Sequence, residues 1–267
     1  MGLAGMGSTP LVRLTATFFQ IFAKREGDLM RQGKRIGVII PALNEADAIS
    51  HVIRDIPGWV DRIVVADNGS SDGTGEVAQA HGASVVHESE RGYGAACLAG
   101  IAACPDADIF VFLDGDYSDH PQELELLVGP IISGAAEFVV GSRVSGNAQA
   151  NALTLQQRFG NWLACKLMNG IWHTCYSDLG PFRAIEAEAL KRLAMRDRTY
   201  GWTVEMQIKA ALVGLKAIEV PVSYRPRIGV SKISGTLKGT VLAGTKILGL
   251  IGRYALWPRW RNAPETG

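Results

Sequence analysis

The chain has only four cysteines, Cys97, Cys104, Cys165 and Cys175, and no two of them form a C-x-x-C pair or stand near a histidine at ligand spacing. That argues against a disulfide framework or a structural zinc site and makes a reducing cytoplasm the expected compartment. No uncharged apolar run reaches the roughly 18 residues that span a bilayer, and the first residues lack the apolar run and cleavage site of a secretory signal. Charge of either sign is not in surplus: 27 Lys and Arg face 26 Asp and Glu, a net charge of +1, which argues against a nucleic-acid binder. Acids are scarcest at one end. From Pro221 onward Glu265 is the single acid against Arg225, Arg227, Lys232, Lys238, Lys246, Arg253, Arg259 and Arg261, so that end favours an anionic partner.

What is present is a core and a rhythm. The 267 residues are 47% hydrophobic, enough for one large domain that folds unaided. Beyond a polar hinge near Gly33, apolar runs that read as strands (35–40, 62–66, 83–87, 108–113, 137–141) alternate with helical patterns (45–56, 73–81, 93–103, 121–133). Such alternation predicts an α/β fold with a mostly parallel central sheet flanked by helices, and a binding crevice at the carboxyl ends of the strands. Further helices are expected at 155–172 and 203–213, and a strand at 217–224 that Pro221 restricts to an edge or a bulge.

The expected strand ends carry the chemistry-bearing residues. In FVFLDGDYSDHP (110–121) a buried run opens into three carboxylates, Asp114, Asp116 and Asp119, whose mutual repulsion a divalent cation would relieve. Asp119, just before Pro121, is expected instead to cap the following helix. In VVADNGSSDGT (64–74), Asp67 and Asn68 leave a strand where an acid can accept hydrogen bonds from a base or ribose; Ser71 and Asp72 read as a turn and cap. In ERGYGAAC (90–97), Gly92 and Gly94 stand at a helix start where backbone N–H groups can meet phosphate.

Taken with VIIPALNE (38–45), FLDGD (112–116), VGSR (140–143), GPFRAI (180–185) and EVPVSYRPRIGVSKISG (219–235), these segments resemble glycosyltransferase family 2, in order and spacing, over roughly residues 35–255. More narrowly they resemble the dolichyl- or polyprenyl-phosphate sugar synthases, of the dolichol-phosphate mannosyltransferase type. The resemblance implies a GT-A fold over 34–235 with an appendage at 1–33, and a nucleotide pocket shaped by Pro41, Asn44 and Glu45, with Asp67, Asn68 and Gly92 beside it. It implies that Asp114 and Asp116 hold Mg²⁺ or Mn²⁺, with Ser118 a weaker third oxygen ligand where the family often has Gln. Arg143, Arg158, Arg227 and Lys232 would clamp the phosphates, while Arg183 would be structural. Glu205, on an apolar helix face, is expected to pair with a cation near the acceptor, and Asp178 either orients the acceptor or caps a turn.

The implied reaction is inverting transfer of a hexose from a nucleotide sugar, UDP-glucose or GDP-mannose, to a polyprenyl or dolichyl phosphate. An acceptor phosphate arrives ionised and needs no strong base. A small soluble acceptor, a non-phosphate lipid, or a silent nucleotide-sugar-binding protein are the alternatives; a hydroxyl acceptor would need a base, for which Asp178 or Glu205 would serve. Residues 236–267 are expected to form an amphipathic helix and tail, with Lys238, Lys246 and Arg253 on one arc and Leu237, Ile247, Leu248, Ile251 and Tyr254 on the rest. With Trp257 and Trp260, it would attach the enzyme peripherally to an anionic membrane surface on the cytoplasmic side. A second apolar stripe, Leu11, Leu14, Phe18 and Ile21, reads as a membrane contact, a homo-oligomer contact or a disordered leader.

Overall fold

The computed structural model describes residues 32–149, 152–229 and 237–256, the last stretch with side chains from Ala243 onward. The expected appendage at 1–33, Lys232, Trp257 and Trp260 therefore lie outside the described residues or at their margin.

Strand β1 (Ile36–Ala42) is buried along its whole length and feeds α1 (Ala46–Asp55), which turns Ala48, Ile49, Val52 and Ile53 inward. The same unit repeats as β2 (Arg62–Asp67) with α2 (Thr74–Ala80), and β3 (Ser84–His87) with α3 (Tyr93–Ala102). Strand β4 (Ile109–Phe112) leads through a 3₁₀ turn at Pro121–Glu123 into α4 (Leu124–Ile132), followed by β5 (Phe138–Ser142). Helix α5 (Leu155–Trp172) starts on a capping box, Thr154 with Gln157. Strand β6 (Arg183–Glu186), α6 (Ala187–Leu193), α7 (Trp202–Leu212), β7 (Ala217–Pro221) and α8 (Leu237–Leu256) complete the chain.

Seven strands lie in the order β3-β2-β1-β4-β6-β5-β7. The first four are mutually parallel, β6 runs antiparallel to both β4 and β5, and β7 pairs parallel with β5 at the edge. The α/β architecture and the edge position of Pro221 are as expected; the reversal at β6 is not. Its apolar content is only Ala184 and Ile185, and its first residue is an arginine. Arg183 is nonetheless fully buried, because its guanidinium donates to the carbonyls of Leu179, Gly180 and Thr203.

Successive strand residues face opposite sides. Val38, Ile40, Val111 and Leu113 pack with α1 and α4, whereas Ile39, Val64 and Phe112 pack with α3, α5, α7 and α8. The last helix corrects one expectation. Its Leu250, Ile251 and Tyr254 are buried in the protein core, Tyr254 donates to Glu205, and Lys246 lies 2.9 Å from Asp197. Much of the face expected to rest on a membrane is thus covered by the protein itself. Among the described residues no helix is long and apolar enough to cross a membrane.

Candidate active site

The carboxyl ends of β1, β2 and β4 converge, and the residues that leave them form one acidic and cationic cluster. Asp116 is nearly buried: Oδ1 accepts from the Ser118 amide at 2.9 Å and its hydroxyl at 2.5 Å, while Oδ2 lies 3.2 Å from Arg227. The other arm of Arg227 reaches Glu45 at 2.8 Å. Ser118 therefore orients the carboxylate, with its hydroxyl engaged by Asp116. Burial, then the neighbouring Asp116, push the Asp114 carboxyl up to about 7.

Asp119 is not the helix cap expected of it: the turn at Pro121–Glu123 has no side-chain cap. It is buried behind Asp114, accepting that residue's amide at 3.2 Å, and burial with the two neighbouring carboxylates raises it well above the usual carboxylate range. Asp114 Oδ1 and Asp119 Oδ1 are buried without a well-formed hydrogen bond. Unsatisfied buried carboxylate oxygens fit a divalent cation. Among the described residues no three His, Cys, Asp or Glu side chains group as a complete ligand set, so Asp114 and Asp116 would hold a cation together with oxygens supplied from outside the protein.

Two cavities meet at this cluster. One, of about 280 Å³, is lined by Pro41, Glu45, Asn68, Arg91, Gly92 and Tyr93 among others. The second, about 340 Å³, lies between α5, α8 and the sheet, and Arg143, Tyr224 and Thr203 contribute to its wall. Tyr93, Asp114, Asp116, Tyr200 and Arg227 line both.

Around the first cavity, several expected ligand-binding groups serve the scaffold. Asn44 joins two loops: its amide donates to Ser70 Oγ and its Oδ1 accepts from Ser71. Asp67 accepts from the Ser70 amide and lies 3.1 Å from His87 Nδ1, outside the cavity lining. Asn68 donates to the carbonyls of Glu88 and Glu90 and accepts from Gly92. The Gly92 amide is thus engaged, and the next amides of α3 donate to Thr199 and Arg198 carbonyls. The 197–199 segment thus occupies the Gly94 and Ala95 amides that the sequence offered to phosphate. Glycine is required there by close approach: a Cβ on Gly92 or Gly94 would stand 2.0 Å from a carbonyl oxygen of that segment.

The other candidates divide. Arg143 forms a fork on fully buried Asp178, at 2.8 Å and 2.7 Å, and lies over the Tyr224 ring. Asp178 thereby fixes Arg143 rather than an acceptor. Arg158 is exposed on α5 and does not line the cavity; one further residue, about 100° around the helix, carries it past the face its neighbours Gln156 and Gln157 present. Glu205, buried, pairs with Lys209 at 2.8 Å and accepts from the amides of Arg196 and Asp197, so its cation belongs to the scaffold. Asp178 and Glu205 are both committed and neither is free to act as a base. Tyr93, Arg91 and Tyr200 are not singled out by sequence; Tyr93 and Arg91 lie inside a quoted motif, but nothing in Tyr200 marks it before the chain is folded.

Buried carboxylates and an arginine at the strand ends of an α/β fold, opening on two cavities, are the arrangement expected of an enzyme that handles a nucleotide sugar. Residues 37–194 match the Glycosyl transferase family 2 model, and the chain belongs to that family. It is similar to an uncharacterised glycosyltransferase of Mycobacterium tuberculosis, 35% identical over 214 residues, 79% of this chain and 95% of the relative. A dolichyl-phosphate hexose transferase of Haloferax volcanii is 30% identical over 210 residues, 78% of this chain and 90% of the relative, so membership alone does not set the acceptor. Among solved structures, glucosyl-3-phosphoglycerate synthase from Mycobacterium tuberculosis, in complex with Mn²⁺, UDP-glucose and glycerol 3-phosphate, matches with TM-score 0.67 at 26% identity, covering 91% of this chain and 86% of that one.

These findings confirm the GT-A fold and the glycosyltransferase class and correct the narrower resemblance. The structural match over nine-tenths of the chain is to an enzyme bound to a small phosphate, and α8 packs inward. The polyprenyl or dolichyl phosphate acceptor and the anionic membrane partner are withdrawn accordingly.

Proposed function

We propose that the protein transfers glucose from UDP-glucose, with Mn²⁺ or Mg²⁺, to a small soluble phosphate-bearing acceptor such as glycerol 3-phosphate. The observation that carries this reading is the junction of two cavities at Asp114, Asp116 and Arg227, one beside the β1 and β2 loops and one beneath α5 and α8. A nucleotide fits the first, with its diphosphate at the junction and its sugar facing the second. The cation, held by Asp114 and Asp116, would neutralise the departing diphosphate.

The chain's own residues do the rest. Arg227 swings from Asp116 and Glu45 onto diphosphate oxygens, where a guanidinium grips in fixed geometry. Arg143, held rigid by Asp178 and Tyr224, presents its remaining N–H donors to the second cavity without having to be ordered when substrate arrives. Tyr93 and Tyr200, shared by both cavities, keep the sugar between the two reactants.

A donor panel tests the reading. With Mn²⁺ and glycerol 3-phosphate, UDP-glucose is expected to give a glucosylated product by mass spectrometry at a rate well above that with GDP-mannose. Product from GDP-mannose alone, or none from either donor, would refute it.

A further inference from the structure

Two helix-interior glycines, Gly160 on α5 and Gly244 on α8, line the second cavity, and the space where each Cβ would stand holds no atom within 4 Å outside its own helix. Glycine is disfavoured inside a helix relative to alanine. Most tightly placed glycines in this fold have a packing reason: Gly100 meets Ile39 at 2.4 Å, and Gly201 meets Leu250 at 2.1 Å. Gly160 and Gly244 have none; Gly129, Gly170, Gly249 and Gly252 likewise meet no neighbour, but of these helix glycines only Gly160 and Gly244 line the cavity, so a side chain there would project into its volume. That volume is continuous with the junction, since the same cavity includes Asp116 and Arg227 at one end and Leu163 and Ile247 at the other.

We infer that Gly160 and Gly244 are specificity-determining: they set the width of the acceptor cleft, and the part of the acceptor remote from its reacting hydroxyl lies between α5 and α8 at these positions. The inference rests on the second cavity being the acceptor site. Because neither position touches the donor cavity, enlarging it narrows what can be glycosylated without altering how the nucleotide binds. The lining near these glycines is uncharged, so the acceptor presents an uncharged flank there and its phosphate to the arginine end.

The test is a graded series, Gly244→Ala, Gly244→Val and Gly244→Leu, with Gly160→Leu alongside and Gly249→Leu as a control whose Cβ also meets no neighbour but lies outside the cavity. Each variant is measured with UDP-glucose and Mn²⁺ against glycerol 3-phosphate, 3-phosphoglycerate and undecaprenyl phosphate, together with melting temperature and UDP–Mn²⁺ affinity. The expected result is a fall in acceptor kcat/KM that tracks side-chain size and reaches about tenfold or more at Leu, the order a misfit in a pocket produces. Melting temperature does not fall, and gains what removing a helix-interior glycine gives; UDP–Mn²⁺ affinity stays at the wild-type level, and Gly249→Leu shows the same melting behaviour with no loss of acceptor kcat/KM. Transfer at the wild-type rate by both Leu variants overturns the inference, as does a melting temperature lowered in step with size, which would mean the space is not open. If the wild type transfers only to undecaprenyl phosphate, the proposed acceptor class fails while the series still reads the cleft on that acceptor. Hydrolysis without transfer to any of the three overturns both.

Discussion

Arg227 lies 3.2 Å from Asp116 and 2.8 Å from Glu45, so one guanidinium bridges the carboxylate that a metal would use and the glutamate at the mouth of the donor cavity. Both carboxylates are more than nine-tenths buried, and the arginine balances the charge of both.

Replacing Arg227 with Gln should therefore act twice. Removing the cation from two buried carboxylates costs about 1–3 kcal/mol, read as a lower melting temperature that Mn²⁺ alone partly restores. Losing a charged donor to the diphosphate lowers kcat/KM for UDP-glucose by about 10²–10³, read in initial rates. A variant with wild-type rates and wild-type melting would mean the bridge is incidental.

Asp114 carries a pH dependence with a definite sign. Its folded-state pKa is raised to about 7, from an ordinary value near 3.8, by burial and by Asp116. The folded protein thus binds the proton more tightly than the unfolded chain, and the associated stability is present at low pH and lost as pH rises between about 4 and 7. Metal-free protein should melt at lower temperature as pH rises through that window, while Mn²⁺ affinity climbs toward pH 7 and then levels. Asp114→Asn should flatten the melting profile across the window. Calorimetry with and without Mn²⁺ checks both trends.

Glu205 and Lys209 give the opposite kind of prediction. They pair at 2.8 Å with both side chains at least 97% buried, and Glu205 also receives Tyr254 of α8. Glu205→Ala leaves Lys209 buried beside a carbonyl, at a cost of about 3–5 kcal/mol. The variant should melt far earlier yet keep its KM for donor when assayed in the cold. A raised KM with unchanged melting would return Glu205 to the site.

The strand ends were legible because buried parallel strands write themselves as apolar runs and the residues after them are free of that pattern. Asp114 and Asp116 stand out in this way, Glu45 and Arg227 through the family resemblance, and the structure brings all four together. What was not legible depends on partners distant in sequence. The α3 amides looked available for phosphate, yet the 197–199 segment, about a hundred residues on, caps them. Asp119 read as a cap because of Pro121, whereas burial behind Asp114 is a property of the folded sheet. Strand β6 was hidden because a buried arginine opens it, and Arg158 because helical phase, not composition, decides which residue of QQR faces the cavity. The C-terminal helix shows the general difficulty: an apolar face predicts that something covers it, and the identity of the cover, here α5 and α7, comes only from the fold.

The most direct measurement compares the wild type with Asp116→Asn in UDP-glucose, Mn²⁺ and glycerol 3-phosphate, following UDP release and the mass of the product. The expected result is a single glucosylated glycerol phosphate from the wild type, and loss of about 10²–10³ in rate together with loss of Mn²⁺ dependence in the variant. Equal, Mn²⁺-dependent rates from both proteins would contradict a cation seated at Asp116.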